Sequence, residues 1–212
     1  MTENVKTNFI SQTWLVLLLA ICFGALLAGI QITLGPTIEA NKINETLEKV
    51  PEMVFGAAHA QELADRKQSV DVTPISIGVD KAGKTIRYSV FEAKTEGQLA
   101  GWVVKTAGQG YADKIEMLIG FDPQVEKITG LFVLDQKETP GLGNKIVTDA
   151  WRSQFLAKST GQALTAVKGN AKAGNEIDAI TGATISSKAV TDIINTAVND
   201  LRKPLIAKAK GK

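Results

Sequence analysis

The residues best able to do chemistry stand just ahead of the last apolar helical pattern. They read Asp178-Ala179-Ile180-Thr181-Gly182-Ala183-Thr184, followed by Ile185-Ser186-Ser187. Small residues and hydroxyls crowd a turn that feeds a helix. The first turn of a helix has main-chain N–H groups without partners, and its dipole favours negative charge. Such a start suits an anion, phosphate above all. Gly182 and Ala183 would let a bulky group come close to the backbone. The same residues also suit plain capping, the commoner arrangement, with Thr181 or Thr184 as N-cap. A second stretch, Glu138-Thr139-Pro140-Gly141-Leu142-Gly143-Asn144-Lys145, reads as a rigid Pro-Gly loop entering a helix. Gly141 and Gly143 there are free to take positive φ.

Composition says what those stretches could not do alone. Among 212 residues there is one cysteine, Cys22, and one histidine, His59. A lone cysteine excludes an internal disulfide, an iron–sulfur cluster and a thiolate zinc site. Redox or catalytic chemistry here therefore needs a borrowed cofactor. With 44% hydrophobic and 22% charged residues, the chain is neither disordered nor collagen-like. The net charge is +2, but residues 201–212 carry Arg202, Lys203, Lys208, Lys210, Lys212 and no acid, leaving −3 for the rest. Nothing in the body is thus basic enough to hold a polyanion such as a nucleic acid.

The elements that must position these residues begin with an anchor. No charged residue occurs from Thr7 to Ile38, and Trp14 to Leu34 is the densest apolar run. As a helix it would span roughly 31 Å, matching a hydrocarbon core of about 30 Å. Trp14 marks one interface, and Gly35-Pro36 reads as a helix stop. A cleaved signal peptide is the competing reading; its start would be basic, whereas here Lys6 is opposed by Glu3. The same balance leaves the orientation undecided by charge. The expected organisation is a short N-terminus over 1–13, a transmembrane helix over 14–34, a linker and amphipathic connector over 35–69, a domain over 70–203 and a basic tail over 204–212. Strands are expected around Ile86-Tyr88-Val90 and over 101–105, 115–121 and 128–134, joined by turn chemistry that suggests an antiparallel sheet. Helices are expected over about 145–157 and 184–203. The last is the clearest, with Ile185, Ala189, Ile193, Ala197 and Leu201 at four-residue spacing. The fold class is α+β.

The string ending at Thr184 resembles the flavinylation signature Asp-x-x-Ser/Thr-Gly-Ala-Thr. The full pattern arises by chance in on the order of one in a few thousand chains of this length, from average residue usage. Glu138 to Gly143 is similar to the loop of the FMN-binding domain in the Rnf and Nqr membrane complexes. Gly110-Tyr111 through Gly120-Phe121-Asp122 is similar to the strand pair preceding that loop. With the anchor, the resemblance covers most of residues 10–203. It points to the G-subunit family of Rnf electron-transport complexes, related to the C subunit of the sodium-pumping NADH:quinone reductase.

The resemblance implies FMN held covalently through its phosphate on Thr184, with Thr181, Gly182 and Ala183 as its immediate pocket. Asp178 would order the loop or assist modification. Glu138, Thr139, Pro140, Gly141, Leu142, Gly143 and Tyr111 would lie near the flavin, and Lys145 would be a charge partner for it. No catalytic acid or base and no metal ligand is implied. Many relatives have His two residues before the motif Glu; here that position is Gln136, so no proton-carrying imidazole is assumed. The implied partners are the other Rnf subunits (A to E), membrane lipid, and a flavin transferase using FAD and Mg²⁺. The implied activity is electron relay between ferredoxin and NAD coupled to ion translocation, with the domain outside a bacterial or archaeal cytoplasmic membrane. A stand-alone anchored flavin reductase would need its own donor site, and no Gly-x-Gly-x-x-Gly fingerprint lies between strand and helix. A non-redox scaffold, with Thr184 as a mere cap, is the other alternative.

Overall fold

The computed structural model describes residues 9–66, 69–81 and 83–211. Glu3 and Lys6 lie outside the described residues. The chain forms two compact units divided between Glu45 and Thr46. Helix α1 (Phe9–Phe55) supplies the first with its residues up to Glu45, where the large apolar side chains from Trp14 to Leu34 are exposed. Among the described residues this is one helix long and apolar enough to cross a membrane. The expected stop at Gly35-Pro36 does not occur, and α1 continues unbroken to Phe55. Proline removes one ladder hydrogen bond. The Glu-, Lys- and Leu-containing run beyond it favours helix enough to carry on.

The second unit is built on an antiparallel meander of five strands in the order β1-β2-β3-β4-β5. These are β1 (Asp71–Lys81), β2 (Lys84–Thr95), β3 (Gln98–Gln109), β4 (Lys114–Phe121) and β5 (Ile128–Asp135). The first was not anticipated. Its Pro74 and half-exposed side chains suit the edge position it occupies.

Side-chain alternation gives the sheet two apolar faces. Phe91, Ala93, Val103 and Leu118 pack with Val50, Met53 and Val54. Residues 46–55, expected as part of a connector, are therefore packed into this unit. After them comes α2 (Ala57–Asp65), which buries Leu63. The opposite face carries Trp102, Val104, Ile115, Met117, Ile119 and Phe121, all fully buried. It packs on the last helix, α4 (Thr184–Lys210), through Val190, Ile194, Ala197 and Leu201.

That helix is seven residues longer than the expected 184–203, running through Pro204 to Lys210. Burial explains the extension: Leu205 is fully buried, and Ile206 and Ala209 pack against the core. The basic tail is thus helical to Lys210, and Lys212 is outside the described residues. Asp200 of α4 clamps the β1–β2 hairpin, accepting from Tyr88 Oη at 2.6 Å and from Lys81 Nζ at 2.8 Å. Burial, then the Asp200 carboxylate, push the Tyr88 hydroxyl well above the ordinary tyrosine range.

The helix expected over 145–157 is broken into a 3-10 turn (Gly143–Val147), the short α3 (Asp149–Arg152) and a second 3-10 turn (Ser153–Phe155). Thr148 is extended (φ −75°, ψ 139°) and interrupts the run. The breaks let Ile146, Trp151 and Phe155 all reach the core. Two three-residue strands, β6 (Thr165–Val167) and β7 (Glu176–Asp178), pair in parallel beside this region.

Candidate functional site

The chemistry-bearing turn hangs from β7. Trp151 Nε1 donates to the Asp178 carbonyl at 2.8 Å, and the Gln154 side-chain oxygen accepts from the Asp178 N–H at 2.8 Å. The Asp178 carboxylate turns away from the motif and accepts from the Ala171 N–H at 2.8 Å. It thereby orders the loop between β6 and β7, which carries Lys168 and Gly169. The next residue, Ala179, donates its N–H to Val167 O at 2.7 Å and locks the two strands' ends together.

Ile180 to Ala183 then form a tight turn closed by Ala183 N–H to Ile180 O at 2.9 Å. Gly182 sits at its third position with φ +82°, a conformation that side chains resist. Ser187, one turn into α4, ties the turn back. Its hydroxyl accepts from the Ile180 N–H and donates to Ala183 O, each at 3.0 Å. The N-cap of α4 is Ala183, and no side chain caps it. Neither Thr181 nor Thr184 fills the capping role that their types suggested. Thr184 is instead the first helical residue, half-buried, on a helix start whose side-chain cap is missing.

The facing loop is held by one buried carboxylate. Glu138 is 4% exposed; its Oε1 accepts from the Ala112 N–H at 3.1 Å and its Oε2 from the Ser186 hydroxyl at 2.5 Å. One side chain thus ties the 110–113 loop, the 138–143 loop and the first turn of α4. Gly110 and Gly143 make room for it. A Cβ at Gly110 would strike Glu138 Oε1, and one at Gly143 would lie 2.9 Å from Glu138 Oε2. Gln136 braces the same segment, accepting from the Glu138 N–H at 2.7 Å. Beside Glu138, Asp113 pairs with Lys137 at 3.0 Å. The Lys114 N–H, then Lys137, hold the Asp113 carboxyl below the ordinary range.

Between these walls lies a cavity of about 830 Å³ lined by both loops, the turn and the first residues of α4. Its size is that of a small-molecule or cofactor site. Thr181, Gly182, Ala183 and Thr184 line it, as do Tyr111, Thr139, Leu142 and Gly143. Asp178, Glu138, Pro140, Gly141 and Lys145 do not reach the wall; the first two act behind it, and Lys145 is exposed elsewhere on its turn. Lys168 and Gly169 line the cavity and were not anticipated. Gly169 and Asn170 both have positive φ (70° and 58°), so the Lys168-Gly169-Asn170 turn was the available signal. A wall combining hydroxyls, a cation, an uncapped helix start and the apolar Leu142 and Ile185 fits a molecule with an anionic end and an apolar body.

Comparison with known proteins agrees with that shape. Residues 110–199, within the second unit, match the FMN-binding domain family. The chain is 36% identical to the G subunit of the Na⁺-translocating ferredoxin:NAD⁺ oxidoreductase complex of Acetobacterium woodii, over 79% of this chain and 78% of that one. It is 34% identical to the G subunit of the ion-translocating oxidoreductase complex of Methanosarcina acetivorans, over 62% of this chain and 68% of the relative. The chain belongs to this G-subunit family, whose members are membrane-associated electron-transfer proteins. The fold is shared with Shewanella oneidensis NqrC, at a TM-score of 0.65 and 20% identity, covering 82% of this chain and 100% of that one.

Proposed function

We propose that this chain is the FMN-carrying subunit of an ion-translocating ferredoxin:NAD oxidoreductase complex, with FMN joined through its phosphate to Thr184 Oγ1. The observation that carries the reading is the position of Thr184, at an uncapped helix start on the wall of the cavity. Its hydroxyl is free to be esterified, and the N–H groups beside it suit phosphate oxygens. Attachment would join Thr184 Oγ1 to the flavin-side phosphorus of FAD, breaking the pyrophosphate bond with AMP leaving and the hydroxyl proton released, assisted by a transferase and Mg²⁺. Bound flavin supplies the electron-carrying chemistry; the protein sets its position and surroundings.

The residues on the walls divide the work. Gly182, with no side chain, leaves the phosphate end unobstructed. Lys168 offers positive charge at the same cavity. Leu142, Tyr111 and Ile185 present apolar surface to a ring system, and Glu138 keeps the loop bearing Leu142 against α4. The domain stands outside the membrane, with the N-terminus of α1 inside. A tether is useful there, because it holds the cofactor at high effective concentration where a dissociable one would be diluted away.

The test is flavin fluorescence of the denatured protein on a gel, after production with a flavin transferase. Wild type should fluoresce, and Thr184→Ala should be dark while melting at the wild-type temperature. A fluorescent Thr184→Ala band would refute the assignment.

A further inference from the structure

The sheet is not continuous. Strand β2 pairs with β1 along its whole length, from Lys84 to Lys94, but its pairing with β3 ends at Ser89 with Lys105. Beyond that point the strands part. Lys84 to Tyr88 have no ladder partner on the β3 side, and Thr106 to Gln109 pair only with β4. On this stretch the hairpin bonds to α4 instead, through Lys81 and Tyr88 to Asp200. Ile193 of α4 sits against β3 in the gap, where a Cβ at Gly108 would lie 2.5 Å from its Cγ1. The parting leaves a cleft of about 850 Å³ between the two strand edges and α4. Proteins ordinarily cover or pair such main-chain edges, because unsatisfied N–H and C=O rows recruit other strands.

The charges on this cleft select among strands. Arg87, Lys105, Lys114 and Lys188 line it, against Glu116 and Asp192. Lys114 pairs with Glu116 at 2.7 Å, whereas no ion pair joins Arg87, Lys105 or Lys188 to another described residue. A second copy of the same basic edges would be repelled, so self-pairing is disfavoured. We infer that this cleft takes an extended acidic segment of a partner protein, which adds as a strand to the open edge of β3 or β2. Main-chain hydrogen bonds would supply the attraction and the unpaired cations the selectivity. Ile185 lines both this cleft and the first cavity, so the added strand would end beside that cavity. The inference does not depend on the flavin.

The test uses the full chain in detergent and an alternating Glu-Val heptapeptide as probe. Binding is read by peptide fluorescence anisotropy, and its location by hydrogen exchange. The expected result is slowed exchange at alternate amides of residues 106–109 or of residues 86–88, those that point away from the existing β4 and β1 ladders, with an affinity that falls as salt rises. The Lys-Val counterpart, and a Glu-Val peptide N-methylated at alternate amides, should each bind at least tenfold more weakly. Lys105→Glu with Lys188→Glu should weaken the Glu-Val peptide at least tenfold while leaving the melting temperature unchanged. Three outcomes would overturn the inference. One is no protection at millimolar peptide. Another is equal binding of the N-methylated peptide, which would mean charge attraction alone. The third is full competition by equimolar inorganic phosphate, which would mean a small-anion site.

Discussion

The two walls of the cofactor cavity are made by different means. The turn leading to Thr184 is braced locally: Ala183 bonds Ile180, and Ser187 bonds both, all within eight residues. The Glu138–Gly143 wall depends on one buried carboxylate that reaches Ala112, 26 residues before it, and Ser186, 48 residues after it. A local turn survives the loss of one bond, because its remaining bonds and the start of α4 still define it. The facing wall is also braced within itself, by Leu142 and Asn144 N–H groups on Thr139 O and by Gln136 on the Glu138 N–H, but its hydrogen bonds to the 110–113 loop and to α4 both come from the Glu138 side chain. Removing that carboxyl leaves the buried Ser186 hydroxyl and the Ala112 N–H without their acceptor and loosens three segments at once.

The largest effect should therefore come from Glu138. Glu138→Ala should lower unfolding free energy by about 3 kcal/mol in denaturant titration. It should also release the 110–113 and 138–143 loops, seen as faster amide exchange there. If it melts like wild type, the contrast between the walls is wrong.

Next comes Gly182→Ala, which forces a side chain into φ +82° and sets its Cβ 3.0 Å from Leu142 Cδ2. The expected cost is about 1–2 kcal/mol, together with reduced flavin loading, measured as the ratio of flavin to protein absorbance. Ser187→Ala sharpens the comparison from the other side. It removes two neutral hydrogen bonds from the locally braced turn and should cost about 1 kcal/mol, with flavin loading unchanged. A loss equal to that of Glu138→Ala would mean that the two walls do not differ in this way.

The smallest effect concerns Asp113, on the loop that Glu138 holds. Its folded-state carboxyl is depressed by the Lys114 N–H and by Lys137. A depressed carboxylate adds stability above its unfolded pKa of about 3.9, and that contribution is lost as pH falls through the lower folded value. Melting followed from about pH 5 to about pH 2 should show wild type losing slightly more stability than Asp113→Asn. Parallel curves would show that this loop gains nothing from the pair.

How much of this was readable in the sequence depends on distance along the chain. The closing helix is legible because its apolar residues recur every four positions, β2 because Ile86, Tyr88 and Val90 alternate with polar residues, and the middle strands because they are short apolar runs bounded by turn residues. The turn at Thr181-Gly182-Ala183 is legible because glycine permits its φ. The tie between Glu138 and Ser186 is not, since only the folded sheet brings residues 48 apart into contact. Strand β1 escaped notice because an edge strand with a proline and little burial leaves no strong alternation. The pair β6 and β7 escaped because three residues are too few to show a period. Pro36 and Pro204 were expected to end helices. Favourable helical sequence beyond the first, and buried Leu205 beyond the second, outweigh one lost hydrogen bond. Lys168 is the residue most worth finding by turn chemistry, because Gly169 and Asn170 announce a reversal beside it.

The central claim concerns one oxygen atom, and peptide mass spectrometry of protein purified from its native membrane reads it directly. The peptide containing Thr181 to Lys188 should carry the mass of one FMN phosphoryl group, with fragmentation assigning it to Thr184. The same peptide found only in unmodified form, in membranes where the transferase is active, would contradict the account.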